Sequence, residues 1–393
     1  MPSTIVKTQQ AFDFLALVPQ LVGFLPERSM VLVAFRGNRT CGALRFNLPD
    51  PDAPLKVHKR IATTLIGTLC KIPGVNAVVP VAYTDERFAA VTGLPHERFA
   101  ETLVKRAELS GFLVRDALCV GADGWGSYLD PGCPAAGRPL SDIAGSKVHQ
   151  MLPADARRDL ATLRNGAELP KADPSARRRL ARELERHERL GRDAETLPEL
   201  VELVGDLLDP VATAELALTW DPAELEVAQA AVLLFLVQGP ANRDQIMLQF
   251  AFGEEVGLQT YALNVRFALV QRVTGRSMDD IVGEELATEG DRRMKPTGDL
   301  MLGLTDVRPD PDRIERAIAL LKVAVALAPR RARPAPLCML AWLSWAVGRG
   351  SVAGLFIDSA LAIDPEHSMA RLLNTLFCSG HLPDWAYAVP LDD

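Results

Sequence analysis

The sequence lacks any apolar run long enough to cross a bilayer. Its longest run, residues 228–237, is interrupted by Gln229 and bounded by polar residues, whereas a membrane-spanning helix needs about 20 predominantly apolar residues. The N-terminus, with Lys7 and Asp13 in a mixed segment, has no stretch typical of a signal peptide. We therefore expect a soluble protein with no membrane partner.

Paired cysteines are missing too, because the six cysteines are scattered singly and none belongs to a CxxC pair. They are Cys41, Cys70, Cys119, Cys133, Cys338 and Cys378. The pattern predicts neither a zinc ribbon nor a disulfide framework. It is typical of buried thiols in a reducing compartment, so we expect a cytoplasmic protein.

The chain has no excess of positive charge. Its 43 basic and 50 acidic residues give a net charge of -7 and a pI near 5.5, which argues against a nucleic-acid or anionic-membrane binder that works by net charge. Residues 177–192 are the only basic segment that could contact nucleic acid. Glutamates interrupt it at spacings that make intrahelical pairs, so a solvated helix is the favoured interpretation.

Recognised catalytic motifs are also absent. The sequence contains no GxxxxGKS/T, GxSxG or HExxH motif and no EF-hand loop. Its histidines lie far apart and none has metal-ligand spacing, so we predict no metal and no cofactor. Cys133 could be a nucleophile if His149 acted as its base, although a structural role is commoner for cysteine. Whether the protein is an enzyme stays open at this point.

What the sequence does contain, up to about residue 150, is an alternation of strand-like and helix-like periods. The pattern predicts a helix over residues 8–18 that ends at Pro19, and then a hairpin of strands. The hairpin strands are at 29–35 and 41–47. After them the pattern predicts a helix at 55–69, a strand at 75–83 and a helix at 95–110. A strand at 114–120 and a hairpin with an ordered loop at 121–134 follow. This order predicts an α/β sheet domain over residues 1–150.

The rest of the chain is helical in period. Asp173-Pro174 begins a charged helix with a narrow apolar stripe, which we interpret as a linker over residues 151–196. An all-α domain is predicted over residues 197–393, and the glycines and prolines of residues 275–311 indicate a long connection within it. We expect the boundary between the two domains to be accessible to proteases.

A repeat is visible in the last third of the chain. Ala324-Val-Ala-Leu-Ala-Pro329 and Ala360-Leu-Ala-Ile-Asp-Pro365 share their Ala and Pro spacing at a distance of 36 residues, close to the tetratricopeptide period of about 34. Residues 314–382 are therefore predicted to be tetratricopeptide-like, with a plain antiparallel helical hairpin as the alternative. Aromatic residues there are candidates for binding a protein partner or a second subunit. They are Trp342, Trp345, Trp385 and Tyr387.

Several segments have a distinctive order of residues. They are Leu21-Val-Gly-Phe-Leu-Pro26, Arg45-Phe-Asn-Leu-Pro49, Trp125-Gly-Ser-Tyr128, Cys133-Pro134 with Gly137-Arg-Pro139, Arg243-Asp244, Arg333-Pro-Ala-Pro336, and residues 360–373. Together they resemble an actinobacterial family known only as domain-of-unknown-function family 4192. The resemblance implies an architecture and a bacterial or phage origin, but no activity.

The sequence departs from the family pattern at three places. Asn47 stands where the family usually has aspartate, and Gly132-Cys133 stands where it has two cysteines before proline. The second difference puts a dithiol or metal role in doubt for this protein. Residues 253–311 have no counterpart that we can place in the family.

Two functions from different classes remain. The favoured one is a non-catalytic cytoplasmic interaction or scaffold protein, whose helical domain binds a protein partner or forms a homo-oligomer. The alternative is an enzyme or small-ligand binder with a pocket at the edge of the N-terminal sheet. Arg45 and Asn47 alternate with apolar Leu44 and Phe46, so they line that pocket or form the wet face of the sheet. The predicted lining is Arg45, Asn47, Trp125, Tyr128 and Cys133.

Overall fold

The computed structural model describes residues 10–152, 166–192, 195–278, 280–281, 283–284 and 295–387. The chain divides into two compact units, which we call the sheet unit and the helical unit and describe separately. The sheet unit comprises Met1–Gly166 with Tyr387–Asp393, and the helical unit comprises Ala167–Ala386. An α/β region followed by a helical region confirms the predicted fold class.

The described strands of the sheet unit form one mixed sheet. They are β1 (Ser29–Arg36), β2 (Arg39–Asn47), β3 (Ala77–Tyr83), β4 (Leu113–Val114), β5 (Leu118–Val120) and β6 (Trp125–Ser127). Their order is β2-β1-β3-β5-β6, and β4 pairs with the start of β3. β1 is antiparallel to β2 and β3, whereas β5 is parallel to β3 and antiparallel to β6. Both predicted hairpins are confirmed.

Helices cover both faces of this sheet. They are α1 (Ala11–Val22), α2 (Leu55–Cys70), α3 (Glu97–Leu109) and α4 (Ser141–Gly145), with 3-10 turns at Phe88–Ala90 and Val148–Met151. Successive residues of β1 enter two separate cores, because side chains alternate between the faces of a strand. Met30 and Leu32 pack with α2 and α3, whereas Val31 and Val33 pack with α1. Burial on both faces explains why β1 and β3 are almost continuously apolar.

Two predictions in this unit need correction. The first helix does not end at Pro19: α1 contains Pro19 and ends at Gly23, which has a φ of 78° and donates its N–H to the carbonyl of Pro19. A proline removes one helical hydrogen bond, but the helix continues through Pro19, which is buried beside Val18. The strand predicted over residues 114–120 is in fact two short strands, β4 and β5, which pair with opposite ends of β3.

The described part of the helical unit contains helices and no strand. They are α5 (Pro174–Arg192), α6 (Leu197–Val204), α7 (Pro210–Ala217), α8 (Val227–Gln238), α9 (Pro240–Phe252), α10 (Glu254–Thr274), α11 (Lys295–Leu302), α12 (Pro311–Leu327), α13 (Pro334–Ala346), α14 (Gly350–Leu361) and α15 (Ser368–Cys378). 3-10 turns lie at Gly205–Leu208, Pro222–Glu224, Arg330–Ala332 and Asp384–Ala386. An Asp-Pro pair begins several of these elements, because the carboxylate caps free N–H groups and proline suits the first turn. Asp209 and Asp310 cap α7 and α12 in this way.

The charged helix α5 lies within the helical unit. Its narrow apolar stripe, which includes Leu180 and Leu184, packs in one cluster with Ala230 and Leu234 of α8 and with Ala324 of α12. The charged residues between these leucines remain on the outer side. The predicted domain boundary itself stays a prediction, for which limited proteolysis is the direct measurement.

The repeat-like segments lie at helix ends. Pro329 follows the last residue of α12 by two positions, and Pro365 follows the end of α14. Consecutive helices from α12 to α15 pack against each other. Within the predicted long connection, residues 285–294 fall outside the described residues, whereas α11 is a regular helix. No described helix of the chain is both long and apolar enough to span a membrane.

Candidate ligand cavity

A cavity of about 720 Å³ lies in the sheet unit where β3 and β5 end. These two strands are parallel, so their carboxyl ends meet at the same edge of the sheet. In open α/β sheets that edge is the usual place for a ligand. Apolar side chains from α1, α4, the segment before β1 and the end of β5 form most of the wall. They include Leu15, Pro19, Leu25, Val120, Leu140 and Ile143.

Local constraints shape the floor of the cavity. Tyr83, Thr84 and Asp85 lead out of β3, and the N–H of Thr84 donates to the carbonyl of Val120 at 3.0 Å. Gly121, at the end of β5, leaves no room for a side chain, because a Cβ there would lie 2.8 Å from the carbonyl oxygen of Glu86. Glycine therefore lets the two strand ends approach closely.

The segment before β1 forms the rim of the cavity and is held by several hydrogen bonds. The carbonyl of Glu27 accepts from the hydroxyl of Ser29 at 2.6 Å and from Nη2 of Arg45 at 3.3 Å. The carbonyl of Arg28 accepts from the N–H of Leu48 at 3.2 Å. Arg28 itself has a φ of 41°, a strained value for a non-glycine residue. Such strain concentrates at functional sites and persists where the surroundings impose it.

The polar groups of the cavity differ in burial. Asp85 and Arg28 form an exposed ion pair at the rim, with 3.5 Å between Nε and Oδ2. The hydroxyl of Tyr83, by contrast, is buried and has no hydrogen-bond partner among the described residues. Burial raises the pKa of Tyr83 far above its usual value, so the group stays a neutral hydroxyl that can donate and accept.

The five predicted pocket residues do not line this cavity and do not meet elsewhere. Arg45 and Asn47 lie on β2 at one edge of the sheet, whereas Trp125 lies on β6 at the other edge. Trp125 is buried beside α1 and α4 and donates to Asp142, while Tyr128 packs on the opposite face and donates to the carbonyl of Pro95 at 2.5 Å. These placements correct the idea of one shared pocket. Of the five, only Arg45 contributes to the cavity, and it does so indirectly. Its Nη2 donates to the carbonyl of Glu27, a residue of the cavity rim.

The remaining residues of that prediction have ordinary surroundings. Asn47 is exposed, and Cys133 is half-buried, with its sulfur beside the backbone of Gly126. The side chain of His149, the base suggested for Cys133, lies outside the described residues. Sequence reasoning missed Tyr83 and Arg28, although the Tyr-Thr-Asp end of a buried strand was a usable signal.

A second polar cluster lies on the opposite face of the sheet. Nε2 of His96 is 4.0 Å from a carboxylate oxygen of Glu86, and the backbone of His96 is left-handed, with a φ of 57°. The Nδ1 atoms of His96 and His58 are buried without partners among the described residues. Burial lowers the pKa of His96. The described residues contain no group of three side chains that could hold a metal ion.

The predicted partner-binding tryptophans are core residues of the helical unit. Trp342, Trp345 and Trp385 are all buried, and their rings form one cluster with Phe252 and Phe377. Each indole N–H donates to a backbone carbonyl, as buried tryptophans usually do. They are therefore not exposed anchors. Tyr387, which is half-buried, belongs to the sheet unit.

Three arginines surround an open cleft of about 560 Å³ in the helical unit. Arg330 donates to the carbonyl of Ala362 at 3.0 Å, and Arg333 donates to that of Ala328 at 2.9 Å. The side chain of Arg177 makes no hydrogen bond or ion pair with a described residue, and no acidic side chain lines the cleft among the described residues. Burial, together with the charges of Arg177 and Arg330, lowers the pKa of Arg333.

The family model described as Domain of unknown function (DUF4192) matches residues 12–276 and 294–384. The chain belongs to this family. No curated protein and no solved structure matches the chain. In this DUF4192 protein the expectation that residues 253–311 lack a counterpart is wrong for 253–276 and 294–311. Within that stretch, only residues 277–293 fall outside the match. Two of the segments that carried the resemblance, 21–26 and 45–49, build and hold the rim of the cavity.

Proposed function

We propose that the sheet unit binds a small, largely apolar molecule that carries one hydrogen-bonding group. The observation that carries this proposal is Tyr83, which lines a cavity at the ends of two parallel strands and whose hydroxyl is buried without a partner among the described residues. Leaving such a group without a partner costs about 1–3 kcal/mol. A bound ligand with a carbonyl, amide or hydroxyl group would recover that cost and give the site specificity.

Size and lining support ligand binding rather than catalysis. Pockets for small molecules have volumes of about 300–1,000 Å³ and mostly apolar walls with a few polar groups. The described residues around this cavity include no cysteine, histidine, lysine or serine, which are among the commonest nucleophiles and bases of enzymes. The exposed charges of Glu27, Arg28 and Asp85 at the rim suit a polar end of the ligand that faces solvent.

The test fills the cavity without disturbing the core. Ala16 is half-buried and lines the cavity, so Ala16→Phe places a ring in the ligand space. The probe is the fluorescent dye anilinonaphthalene sulfonate (ANS), titrated into the wild type and the variant. We expect saturable binding to the wild type and at least about a tenfold loss in the variant, since a clash of 1–3 kcal/mol is typical of overpacking.

The matched control is Ala90→Phe, an exposed alanine of the same unit that does not line the cavity. It should bind ANS as the wild type does, and circular dichroism should show the same fold for all three proteins. Equal ANS affinity in the wild type and Ala16→Phe would contradict the proposed site.

We propose a second binding function for the helical unit, in line with an interaction or scaffold role. The cleft of Arg177, Arg330 and Arg333 has an apolar floor of Leu327 and Ile363 and no acidic lining residue. Charge complementarity therefore favours an acidic segment of a protein partner. Arginine suits carboxylates because its planar group can donate two parallel hydrogen bonds.

Fluorescence anisotropy with a labelled oligoglutamate peptide tests this second function. Arg177→Gln should weaken binding about tenfold, since hydrogen bonds to charged groups contribute about 1.5–3 kcal/mol. Arg178→Gln removes the same charge from an exposed neighbour that does not line the cleft. Equal losses in both variants would show attraction by general charge and contradict a defined site.

A reducing compartment such as the cytoplasm is part of this proposal. All six cysteines are free thiols, and Cys119 and Cys338 are buried in the cores of the two units. Protein from host cells is denatured and alkylated, and mass spectrometry then counts the alkylated thiols. We expect all six cysteines to be alkylated.

A further inference from the structure

The cleft of Arg177, Arg330 and Arg333, which we call the arginine cleft, concentrates positive charge without a counter-charge. Arg177 lies in the first turn of α5, Arg330 in the 3-10 turn after α12, and Arg333 directly before α13. Among the described residues no acidic side chain lines the cleft. Burial lowers the pKa of Arg333, and the charges of Arg177 and Arg330 lower it further. The three guanidinium groups are therefore close enough to repel one another, and a bound anion relieves that repulsion.

Two of the three guanidinium groups are held in place by helix ends. Nη2 of Arg330 donates to the carbonyl of Ala362, directly after α14, at 3.0 Å. Nε of Arg333 donates to the carbonyl of Ala328 at 2.9 Å, and its Nη2 donates to that of Ala326 at 3.4 Å. A guanidinium group has five N–H donors, so these bonds fix the orientation of both groups and leave further donors for a ligand. Donors that are already oriented lose less conformational entropy on binding.

Arg177 has no such structural role. Its side chain is exposed and makes no hydrogen bond or ion pair with a described residue. Its neighbour Arg178, by comparison, donates to the carbonyl of Pro174 and does not line the cleft. The capping of helix ends thus accounts for Arg330 and Arg333, whereas Arg177 adds a third positive charge that no described group of the protein uses.

The charge and the donors of the arginine cleft favour a phosphate group over a carboxylate. A phosphate monoester carries about 1.5 to 2 negative charges at neutral pH and has three strong acceptor oxygens, so one group can accept from three arginines. A carboxylate has one negative charge and two oxygens, so a single one leaves most of the positive charge uncompensated. The planar guanidinium group also matches phosphate oxygens in pairs.

The surroundings of the arginine cleft favour a phosphate on a protein segment over a nucleic acid. Apolar residues, including Leu327, Pro329 and Ile363, line the same cleft, so they can contact the residues that flank a phosphorylated side chain. A nucleic acid brings many phosphates, which the net charge of -7 repels. The glutamates of α5, among them Glu183 and Glu185, add to that repulsion.

We propose, on the basis of the acidic-segment site described above as the second binding function, that the arginine cleft binds a phosphorylated side chain in a short segment of a protein partner. Arg330 and Arg333 donate to the phosphate oxygens from fixed positions, and Arg177 adds donors from α5. The apolar lining contacts the residues beside the phosphate. Phosphorylation of the partner therefore controls its binding to this chain.

The first test compares three labelled peptides by fluorescence anisotropy with the full chain. Each has the sequence Gly-Leu-Xaa-Leu-Gly, in which Xaa is phosphoserine, glutamate or serine. We expect the phosphoserine peptide to bind at least about tenfold more tightly than the glutamate peptide, because it offers more charge and more acceptors. A phosphoserine peptide that binds no more tightly than the glutamate peptide overturns the phosphate assignment but leaves the acidic-segment site standing. If neither these peptides nor oligoglutamate bind, both proposals are wrong.

The second test locates the phosphate in the cleft. Arg177→Gln should weaken binding of the phosphoserine peptide at least about tenfold, with unchanged circular dichroism and melting temperature, since the side chain has no described partner. Arg178→Gln is the matched control and should bind the peptide as the wild type does. A loss of the same size in Arg178→Gln, or no loss in Arg177→Gln, overturns the arginine cleft as the phosphate site.

The third test identifies the source of the phosphate. Inorganic phosphate and a short single-stranded oligodeoxythymidylate compete with the labelled phosphoserine peptide. We expect both to compete more weakly than the unlabelled phosphoserine peptide, because neither supplies leucine side chains for the apolar lining. Inorganic phosphate that competes equally well shows an ion site alone, and an oligonucleotide that competes better shows a nucleic-acid site. Either result overturns a protein segment as the partner.

Discussion

One buried aromatic residue of the sheet unit, Tyr83, differs from the tryptophans of the helical unit in its hydrogen bonding. In the helical unit, Trp342, Trp345 and Trp385 each donate an indole N–H to a backbone carbonyl at 2.8 to 3.1 Å. In the sheet unit, the hydroxyl of Tyr83 is buried beside a cavity and has no described partner. Satisfied polar groups of buried aromatic residues contribute to stability, whereas a buried polar group without a partner needs a specific explanation, and for Tyr83 we propose a ligand. Buried aromatic residues therefore have a structural role in the helical unit, whereas for Tyr83 in the sheet unit we propose a binding role.

A half-buried pair of opposite charges in the helical unit is held by several hydrogen bonds. Arg313 forms a two-pronged contact with Glu215, at 3.0 and 2.6 Å, and donates to the carbonyl of Gln249. Burial raises the pKa of Glu215, but hydrogen bonds from Arg313 and Gln249 more than offset that effect, so the net pKa is lowered. This network joins α7, α9 and α12.

The comparison can be measured directly, because Trp125 is the one tryptophan of the sheet unit and the other four lie in the helical unit. Fluorine NMR of fluorotryptophan-labelled protein during urea unfolding thus follows the two units separately in one sample.

The largest effect is expected for Trp342→Ala. Trp342 is fully buried in the aromatic cluster, against Phe252 and Trp345, and removing such a side chain costs about 3–5 kcal/mol. The tryptophan signals of the helical unit should move to lower urea, while that of Trp125 stays in place. Trp342→Phe should lose less stability, because phenylalanine keeps part of the ring packing. A stable variant with impaired partner binding would instead favour a direct binding role for Trp342.

A smaller effect of opposite sign is expected for Tyr83→Phe. Removing an unpartnered buried hydroxyl should stabilise the sheet unit by about 1 kcal/mol, while it weakens ANS binding. The Trp125 signal should therefore move to higher urea. Tyr128→Phe is the matched control, since its hydroxyl donates to Pro95 at 2.5 Å, and its loss should destabilise the same unit. Equal shifts in both variants would contradict the special position of Tyr83.

The smallest effect concerns pH. Burial and nearby His58 lower the pKa of His96, and Glu86 and Asp50 only partly oppose them. The folded pKa is thus below the unfolded value of about 6.5, so the unfolded state binds more protons. Stability is full above about pH 6.5 and falls as the pH drops through the folded pKa.

His96→Asn isolates this contribution, because asparagine tolerates the left-handed backbone of His96. The variant should lose less stability than the wild type between neutral and mildly acidic pH, as seen at Trp125. The helical-unit signals should respond to acid as in the wild type, since His187 and His367, whose pKa values burial lowers, are unchanged. An identical acid response at Trp125 would show that His96 makes no such contribution.

Local patterns predicted most of the secondary structure. The hairpin of β1 and β2, the helices α2 and α3 and the helices of the second half follow from periods of two and 3.6 residues, which burial on one or two faces imposes. The family resemblance also came from local segments and is confirmed over most of the chain. Pro19 misled the prediction, because tertiary packing decides whether a helix tolerates a proline.

The location of the candidate site could be found only from the tertiary structure. The sequence by itself determined that β3 ends in Tyr83, Thr84 and Asp85 and that Arg45 lies on a strand, but not which strands are neighbours. Strand order placed Arg45 and Trp125 at opposite edges of the sheet, and it placed the ends of β3 and β5 side by side. Likewise, the spacing of Trp342 and Trp345 fixed their common helical face, whereas packing with Phe252 and Trp385 decided that this face is buried. The periodicity of a segment shows which of its side chains face a core. Only the packing of segments distant in sequence decides which core, which cavity and which partner those side chains contact.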